Sequence, residues 1–153
     1  RRGKRHGNIL DHIAVEYEYQ NGVTMFSQCR QINGCKDIVG EFVRGTRGSS
    51  NCADLIQSAD ASEWRFREKP VNAYEQEHQN LIASIRDGKP INEAQSIAES
   101  TLTAILGREA AYSGQEVTWD QAMQSTTKLG PENVEFGEFK VPPIARPGTY
   151  KFT

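Results

Sequence analysis

The sequence predicts an α+β fold, an open and mainly antiparallel β-sheet with helices packed on one face. Three observations predict it. Apolar and polar residues alternate with period two on either side of Asn21-Gly22; the period becomes helical after Pro70; and Asn-x-x-Glu and Asn-x-x-Gln stand where two helices would open.

From Ile13 to Cys29 the alternation puts Ile13, Val15, Tyr17 and Tyr19 on one face and Glu16, Glu18 and Gln20 on the other, as a half-buried antiparallel strand requires. Asn-Gly is a strong hairpin signal because both residues accept positive φ. A two-residue loop there places Tyr17 opposite Phe26 and Ile13 opposite Arg30, which sets Gln28, Arg30 and the aromatic residues on one face. A third strand is expected from Ile38 to Arg44, stopped by the turn Gly45-Thr46-Arg47-Gly48. Weaker ones near Ala53 to Ile56 and Glu63 to Phe66 extend the sheet to a meander of about five strands.

Beyond Pro70, Asn72 is placed to cap a helix with Glu75 completing a capping box, and Tyr74, His78, Leu81, Ile82 and Ile85 make its apolar stripe. Gly88 and Pro90 end it. Asn92 with Gln95 opens a longer helix that stops at Gly114. Its interior, including Ala98, Ser100, Thr101, Ala104, Gly107, Ala110 and Ala111, is built of small residues that let another backbone approach closely. From 130 to 153 prolines and glycines predict an extended tail laid over the body.

A length of 153 residues fits one domain, which should bury roughly 68–70% of its unfolded surface. With 37% hydrophobic and 25% charged residues and a mean hydropathy of -0.65, the chain reads as a soluble globular domain. A net charge of -2 supplies no long-range attraction for nucleic acid, and no apolar stretch reaches the ~18 residues of a membrane span. The basic run Arg1, Arg2, Lys4 and Arg5 is read as part of a solvated linker over residues 1–8. Cys29, Cys35 and Cys52 are odd in number and form no Cys-x-x-Cys, so they read as free thiols, with a Cys29 to Cys35 bridge as the alternative.

The sequence holds no Gly-x-Gly-x-x-Gly, Gly-x-Ser-x-Gly or His-Glu-x-x-His, and Gly45 to Gly48 is too short to cradle a phosphate. Four polar residues remain as candidates for contact with a ligand. His12 follows Asp11, a pairing that serves a general base oriented by a carboxylate, although neighbours on a strand point to opposite faces and are not expected to meet. Arg30 and Gln31 end the second strand and can donate to hydroxyls or a carboxylate. His78 sits on the apolar face of the first helix, where a hydrogen-bonded core histidine is the ordinary outcome.

The run Asn72-Ala-Tyr-Glu-Gln-Glu-His78 through Gly88-Lys-Pro90, followed by Asn92-Glu-Ala, Ala98-Glu-Ser-Thr-Leu-Thr-Ala104, Gly107-Arg108, Ala111-Tyr-Ser-Gly114 and Val117-Thr-Trp-Asp120, closely resembles the carboxy-terminal half of bacterial Gfo/Idh/MocA-type oxidoreductases. Gly7-Asn8, Asp11-His12, Tyr17-Glu-Tyr19, Asn21-Gly22, Cys29-Arg-Gln31, Gly45-Thr-Arg-Gly48, Val141-Pro-Pro143 and Pro147-Gly148 follow the same family order. The resemblance implies a parent with an amino-terminal Rossmann domain for NAD or NADP and a carboxy-terminal sheet domain, here residues 1–153, that carries no cofactor of its own. It implies hydride transfer between nicotinamide and a hydroxyl-bearing carbon of a sugar, glycoside or cyclitol. The family's catalytic lysine and histidine would precede Arg1, so no catalytic residue is expected in this chain. Glu68-Lys69-Pro70 looks like the family's Glu-Lys-Pro motif, but it leads into the wrong helix, and Lys69 is read as coincidental. Arg30, Gln31, His12 and His78 are the expected substrate contacts. The expected partners are the missing Rossmann domain, a carbohydrate and further copies of the chain in a dimer or tetramer joined through the sheet face; nucleic acid and membrane are not among them. Bacterial cytoplasm and periplasm stay open.

Overall fold

A computed structural model describes residues 7–131, 133–138 and 141–153; the basic run and most of the 1–8 linker lie outside these. In chain order the elements are β1 (His12–Glu18), β2 (Thr24–Arg30), β3 (Val43–Gly45), β4 (Gly48–Ser50), β5 (Leu55–Ser58), β6 (Glu63–Arg65), α1 (Ala73–Arg86), α2 (Ala94–Ser113) and α3 (Trp119–Gln124). The fold is α+β with antiparallel pairing throughout. The strands form two sheets, β1-β2 and β3-β4-β5-β6, rather than one meander. They fall in two compact units, one of residues 1–33 with 93–153 and one of residues 34–92.

In the first unit the hairpin register differs by one residue from the expected one. Tyr17 faces Met25 and Ile13 faces Cys29. The cause is the loop: the Tyr19 N–H donates to the Val23 carbonyl at 2.9 Å and the Gly22 N–H to the Tyr19 carbonyl at 2.8 Å, so three residues are looped out, not two. Gly22 alone takes positive φ, at 79°, while the Asn21 side chain accepts from the Val23 N–H at 3.1 Å. This is a type I turn closed by a left-handed glycine. A one-residue slip exchanges faces. Phe26, Gln28 and Arg30 therefore share a face with His12, Ala14 and Glu16, away from Ile13, Val15 and Tyr17.

Helix α2 covers the Tyr17 face. Gly107 is buried, and a Cβ there would intrude on the Tyr17 hydroxyl, which donates to the Thr103 carbonyl at 3.1 Å. The small residues in the second half of α2 thus admit a tyrosine ring. The first half, residues 94–101, is exposed. The helix opens at Glu93 without a side-chain cap rather than at Asn92, and ends as expected with Gly114 in the left-handed conformation at φ 67°.

The buried centre of this unit is polar as well as aromatic. Glu109 is fully buried, touches the Arg108 guanidinium and accepts from the Tyr150 hydroxyl at 2.6 Å. Arg108 lies 4.3 Å over the Tyr112 ring, Tyr112 meets Tyr150 edge-on, and the Tyr112 hydroxyl accepts from the Leu10 N–H at 3.2 Å. The tail is stitched down further along. The Gly148 N–H donates to the Ser113 carbonyl at 2.8 Å, and the Thr153 main-chain oxygen receives four donors, the Ser125 and Thr127 hydroxyls and the N–H groups of Thr126 and Thr127. Helix α3, foreseen only as part of a family motif, is started by a capping box between Thr118 and Gln121.

Burial raises the Tyr17 phenol above its ordinary 10.0, with the neighbouring Tyr19 adding to it. Tyr150 is raised by burial first and then by its bond to Glu109. A raised phenol favours the neutral form in the folded state, so its stabilisation is complete below the unfolded value of 10.0 and is lost as pH rises through the folded value. The unfolding temperature is expected to stay level to about pH 9 and to fall above about pH 10. Phenolate absorbance followed with the melting curve checks this; ionisation of all tyrosines near pH 10 with no loss of stability would contradict it.

The second unit is built around short strands. Of the expected Ile38 to Arg44 strand only Val43 and Arg44 pair, with Gly45 added from the expected turn, because Gly40 interrupts the run; Val39 is 98% exposed. Strand β4, absent from the expectation, pairs with β3 across the loop Thr46-Arg47. Strand β5 begins at Leu55 rather than Ala53 because the Asn51 side chain accepts from the N–H groups of Ala53, Asp54 and Leu55 at 3.2, 3.2 and 2.9 Å, holding that stretch in a loop. Asn72 caps helix α1 as expected, accepting from Tyr74 and Glu75, but the Glu75 side chain does not return a bond to complete the expected box. At its end the Gly88 N–H donates to Ile85 and the Lys89 N–H to Ser84, a Schellman arrangement with Gly88 at φ 64°.

The α1 stripe does not enter a core. Tyr74, Leu81, Ile82 and Ile85 are all exposed, and no strand of the same unit packs on them. The chain as a whole exposes 13944 Å², whereas separate compact bodies of these two sizes would expose roughly 9,000 Å² in total. The expected burial is therefore not reached.

Candidate functional site

Three of the four expected ligand contacts meet at the open end of the β1-β2 hairpin. His12 opens β1 and Arg30 closes β2 directly opposite, so their Cα atoms stand about 5 Å apart. The Gln31 N–H donates to the Asp11 carbonyl at 2.8 Å, which extends the pairing by one step and fixes the start of the Gln31 segment. Asp11 and His12 do meet, contrary to expectation: His12 Nδ1 lies 2.8 Å from Asp11 Oδ1. Asp11 stands before the strand begins, so the alternation of the pleat does not govern its side chain. With Nδ1 engaged, Nε2 is the ring nitrogen that can meet a ligand; the His12 side chain is 71% exposed. Arg30 and Gln31 are exposed too.

His78 is not part of this group. It belongs to α1 in the other unit, exposed rather than in a core, with Nδ1 2.7 Å from the Tyr74 carbonyl one turn earlier. That bond satisfies the ring locally.

Beside the hairpin end lies a groove of about 1080 Å³ between β1, the second half of α2 and residues 114–120. The residues that line it include Tyr17, Tyr19 and Trp119 with Gln115, Glu116, Thr118 and Asp120; His12, Glu16 and Glu18 border it but belong to the opposite face of β1, and Arg30 and Gln31 are not part of it. Among the described residues that line it there is no Lys or Arg. Ala110 and Ala111 of α2 and Gly114 just after it are among its small lining residues. The Tyr17 hydroxyl is held by Thr103, so that ring is fixed, while Trp119 begins α3 and is 40% exposed.

Sequence reasoning missed this groove. The residues after Gly114 carry its far wall, and only the Thr118-x-x-Gln121 box signals that the chain turns back there. It also missed Glu109, whose charge reads as a solvated helix position.

Among the described residues no group of three or more His, Cys, Asp or Glu side chains could hold a metal ion, all three cysteines are free thiols, and no helix is long and apolar enough to cross a membrane. No family model, curated protein or solved structure matches this chain.

Proposed function

We propose that this chain is the substrate-side and assembly domain of an NAD(P)-dependent oxidoreductase of the Gfo/Idh/MocA type, acting on a hydroxyl-bearing carbon of a sugar, glycoside or cyclitol. The observation that carries the reading is α1, a helix closed at both ends by proper caps whose apolar stripe of Tyr74, Leu81, Ile82 and Ile85 lies uncovered. A fourteen-residue helix is marginal alone in water and gains its stability by packing that stripe. A sequence that spends capping signals and a stripe on such a helix is one side of a larger body. The ordered run of family-like motifs names the body: a Rossmann domain and further copies of the chain.

The division of labour follows from charge. A dinucleotide needs a glycine-rich turn and positive ends for its pyrophosphate, whereas the sequence holds no such turn and no Lys or Arg is among the described residues that line the groove. The residues of this chain do not fit that group, so NAD or NADP belongs to the missing domain together with the catalytic lysine and histidine. What this chain supplies is recognition. Arg30 and Gln31 donate to ligand hydroxyls or a carboxylate, and His12, oriented by Asp11, offers Nε2 for a hydrogen bond. His78 is the weakest of the four, since Tyr74 already holds it.

A second role, assembly through the sheet, is favoured by β2. Every residue of Thr24–Arg30 is exposed, with Phe26 at 68%. A second copy laid on this face would bury it as a two-fold interface. Light scattering should then return a dimer or tetramer, and a monomer at high concentration excludes the role.

Calorimetric titration with NAD and NADP tests the main reading. The parent that carries the preceding domain is expected to bind one of them and this chain neither. Binding by this chain overturns the division of labour, and a parent that binds neither overturns the function. In that parent Arg30→Ala with Gln31→Ala should raise the substrate KM about tenfold, the effect of losing two hydrogen bonds of about 0.5–1.5 kcal/mol each.

A further inference from the structure

The chain holds two Asn-Gly pairs, Asn21-Gly22 and Asn33-Gly34. In such a pair the glycine amide nitrogen can reach the side-chain carbonyl carbon of the asparagine, because glycine has no side chain in the way and the ring that closes is small and unstrained. Accessibility does not tell the two pairs apart. All four residues are exposed, both glycines have φ 79°, and a Cβ added to either would meet nothing within 4 Å. Their hydrogen bonds differ. At the hairpin the Gly22 N–H donates to the Tyr19 carbonyl at 2.8 Å, and the Asn21 side-chain oxygen accepts from the Val23 N–H at 3.1 Å. The nucleophile is tied down there, and the amide it would attack is held toward Val23. Among the described residues neither the Asn33 side chain nor the Gly34 N–H has a hydrogen-bond partner.

We propose that Asn33 is a site of spontaneous deamidation and that the fold protects Asn21 from the same reaction. The Gly34 nitrogen, its proton lost to water or hydroxide, attacks Cγ of Asn33. A new N–Cγ bond forms, the bond from Cγ to the side-chain nitrogen breaks, and that nitrogen leaves as ammonia with a proton taken from solvent. Water then opens the succinimide. Attack at Cγ returns aspartate, and attack at the main-chain carbonyl carbon of Asn33 gives isoaspartate, whose main chain is one methylene longer. Either product puts a carboxylate two residues beyond Gln31 and leaves the chain one charge more negative than its formal -2. The inference is independent of the oxidoreductase reading.

The test keeps the folded chain in heavy-oxygen water at mildly alkaline pH and maps its peptides by mass spectrometry over time. The peptide that contains Asn33 should take up labelled oxygen about tenfold faster than the one that contains Asn21, the effect of two hydrogen bonds that must break before Asn21 reacts. Unfolding in urea should remove most of that gap by releasing Asn21. Asn33→Gln should lose the label at that position and leave the rate at Asn21 unchanged. Equal rates in the folded chain, or faster conversion at Asn21, overturn the proposal, and so does an Asn33 that keeps its amide in the folded chain while both sites convert in urea. A gap that persists undiminished in urea overturns the protective role of the fold, since the neighbouring sequence would then set the rates.

Discussion

Glu109→Ala is expected to destabilise the first unit by about 3–5 kcal/mol, the ordinary result of removing one partner from a buried ion pair. Glu109 is fully buried, and its carboxylate serves two donors from opposite directions, the neighbouring Arg108 and the Tyr150 hydroxyl from 41 positions away. Alanine leaves a guanidinium only 34% exposed without its countercharge and a phenol without its acceptor. For a unit of this size each kcal/mol moves the midpoint by about 4–8 °C, so a fall of roughly 15 °C or more should be seen in a melting curve. Glu109→Gln keeps an acceptor for Tyr150 and should lose less. The double substitution Glu109→Met with Arg108→Leu should recover much of the loss, because no charge is then stranded in the interior. A single alanine variant that melts within 2 or 3 °C of the original (about 0.5 kcal/mol) would show that the carboxylate is wet in solution.

Gly48→Ala is expected to cost about 2–4 kcal/mol in the second unit, where strained backbone and overpacking add. Gly48 has φ 150°, and a Cβ there would press into the Gln57 carbonyl and lie 3.0 Å from the Ser58 Cα, both on the paired strand β5. Neither obstacle can rotate aside, since both are backbone. β3 pairs only with β4, so displacing β4 releases β3 as well. Amide exchange should lose protection across Val43–Gly45 and Gly48–Ser50 while α2 keeps its own. Gly45→Ala is the control: the nearest atom to its Cβ is 4.0 Å away and its φ is ordinary, so a change within about 0.5 kcal/mol is expected there. Equal effects at the two glycines would mean that the turn, not the close approach, sets the cost.

Local signals were legible in the sequence and distances along the chain were not. Asn72, Gly88 and Gly114 act within a few residues of themselves, and each begins or ends its helix as read. The hairpin was legible at Asn21-Gly22, but its register hung on whether Asn21 would take positive φ or spend its side chain on the Val23 N–H; the second outcome moved Arg30 to the other face. Helix α2 starts one residue later than the Asn92 box predicts, with Glu93 at the cap position. Of the site, the pairing of His12 with Arg30 was partly legible, since both mark strand ends. The groove and Glu109 were not, because each is made by residues such as Trp119 and Tyr150 whose neighbours lie far away in sequence.

The bonds at the Thr153 oxygen carry a lesson about tolerance to drift. Four donors from residues 125–127 converge on this one main-chain oxygen, more than its lone pairs can each serve singly. The donors are therefore degenerate in the way a code is degenerate: Ser125 or Thr127 can lose its hydroxyl and leave the clasp closed by the amides, which no side-chain substitution short of proline removes. Substitutions there should accumulate silently one at a time, and the attachment of Thr153 to residues 125–127 is inherited through the backbone rather than through any particular side chain.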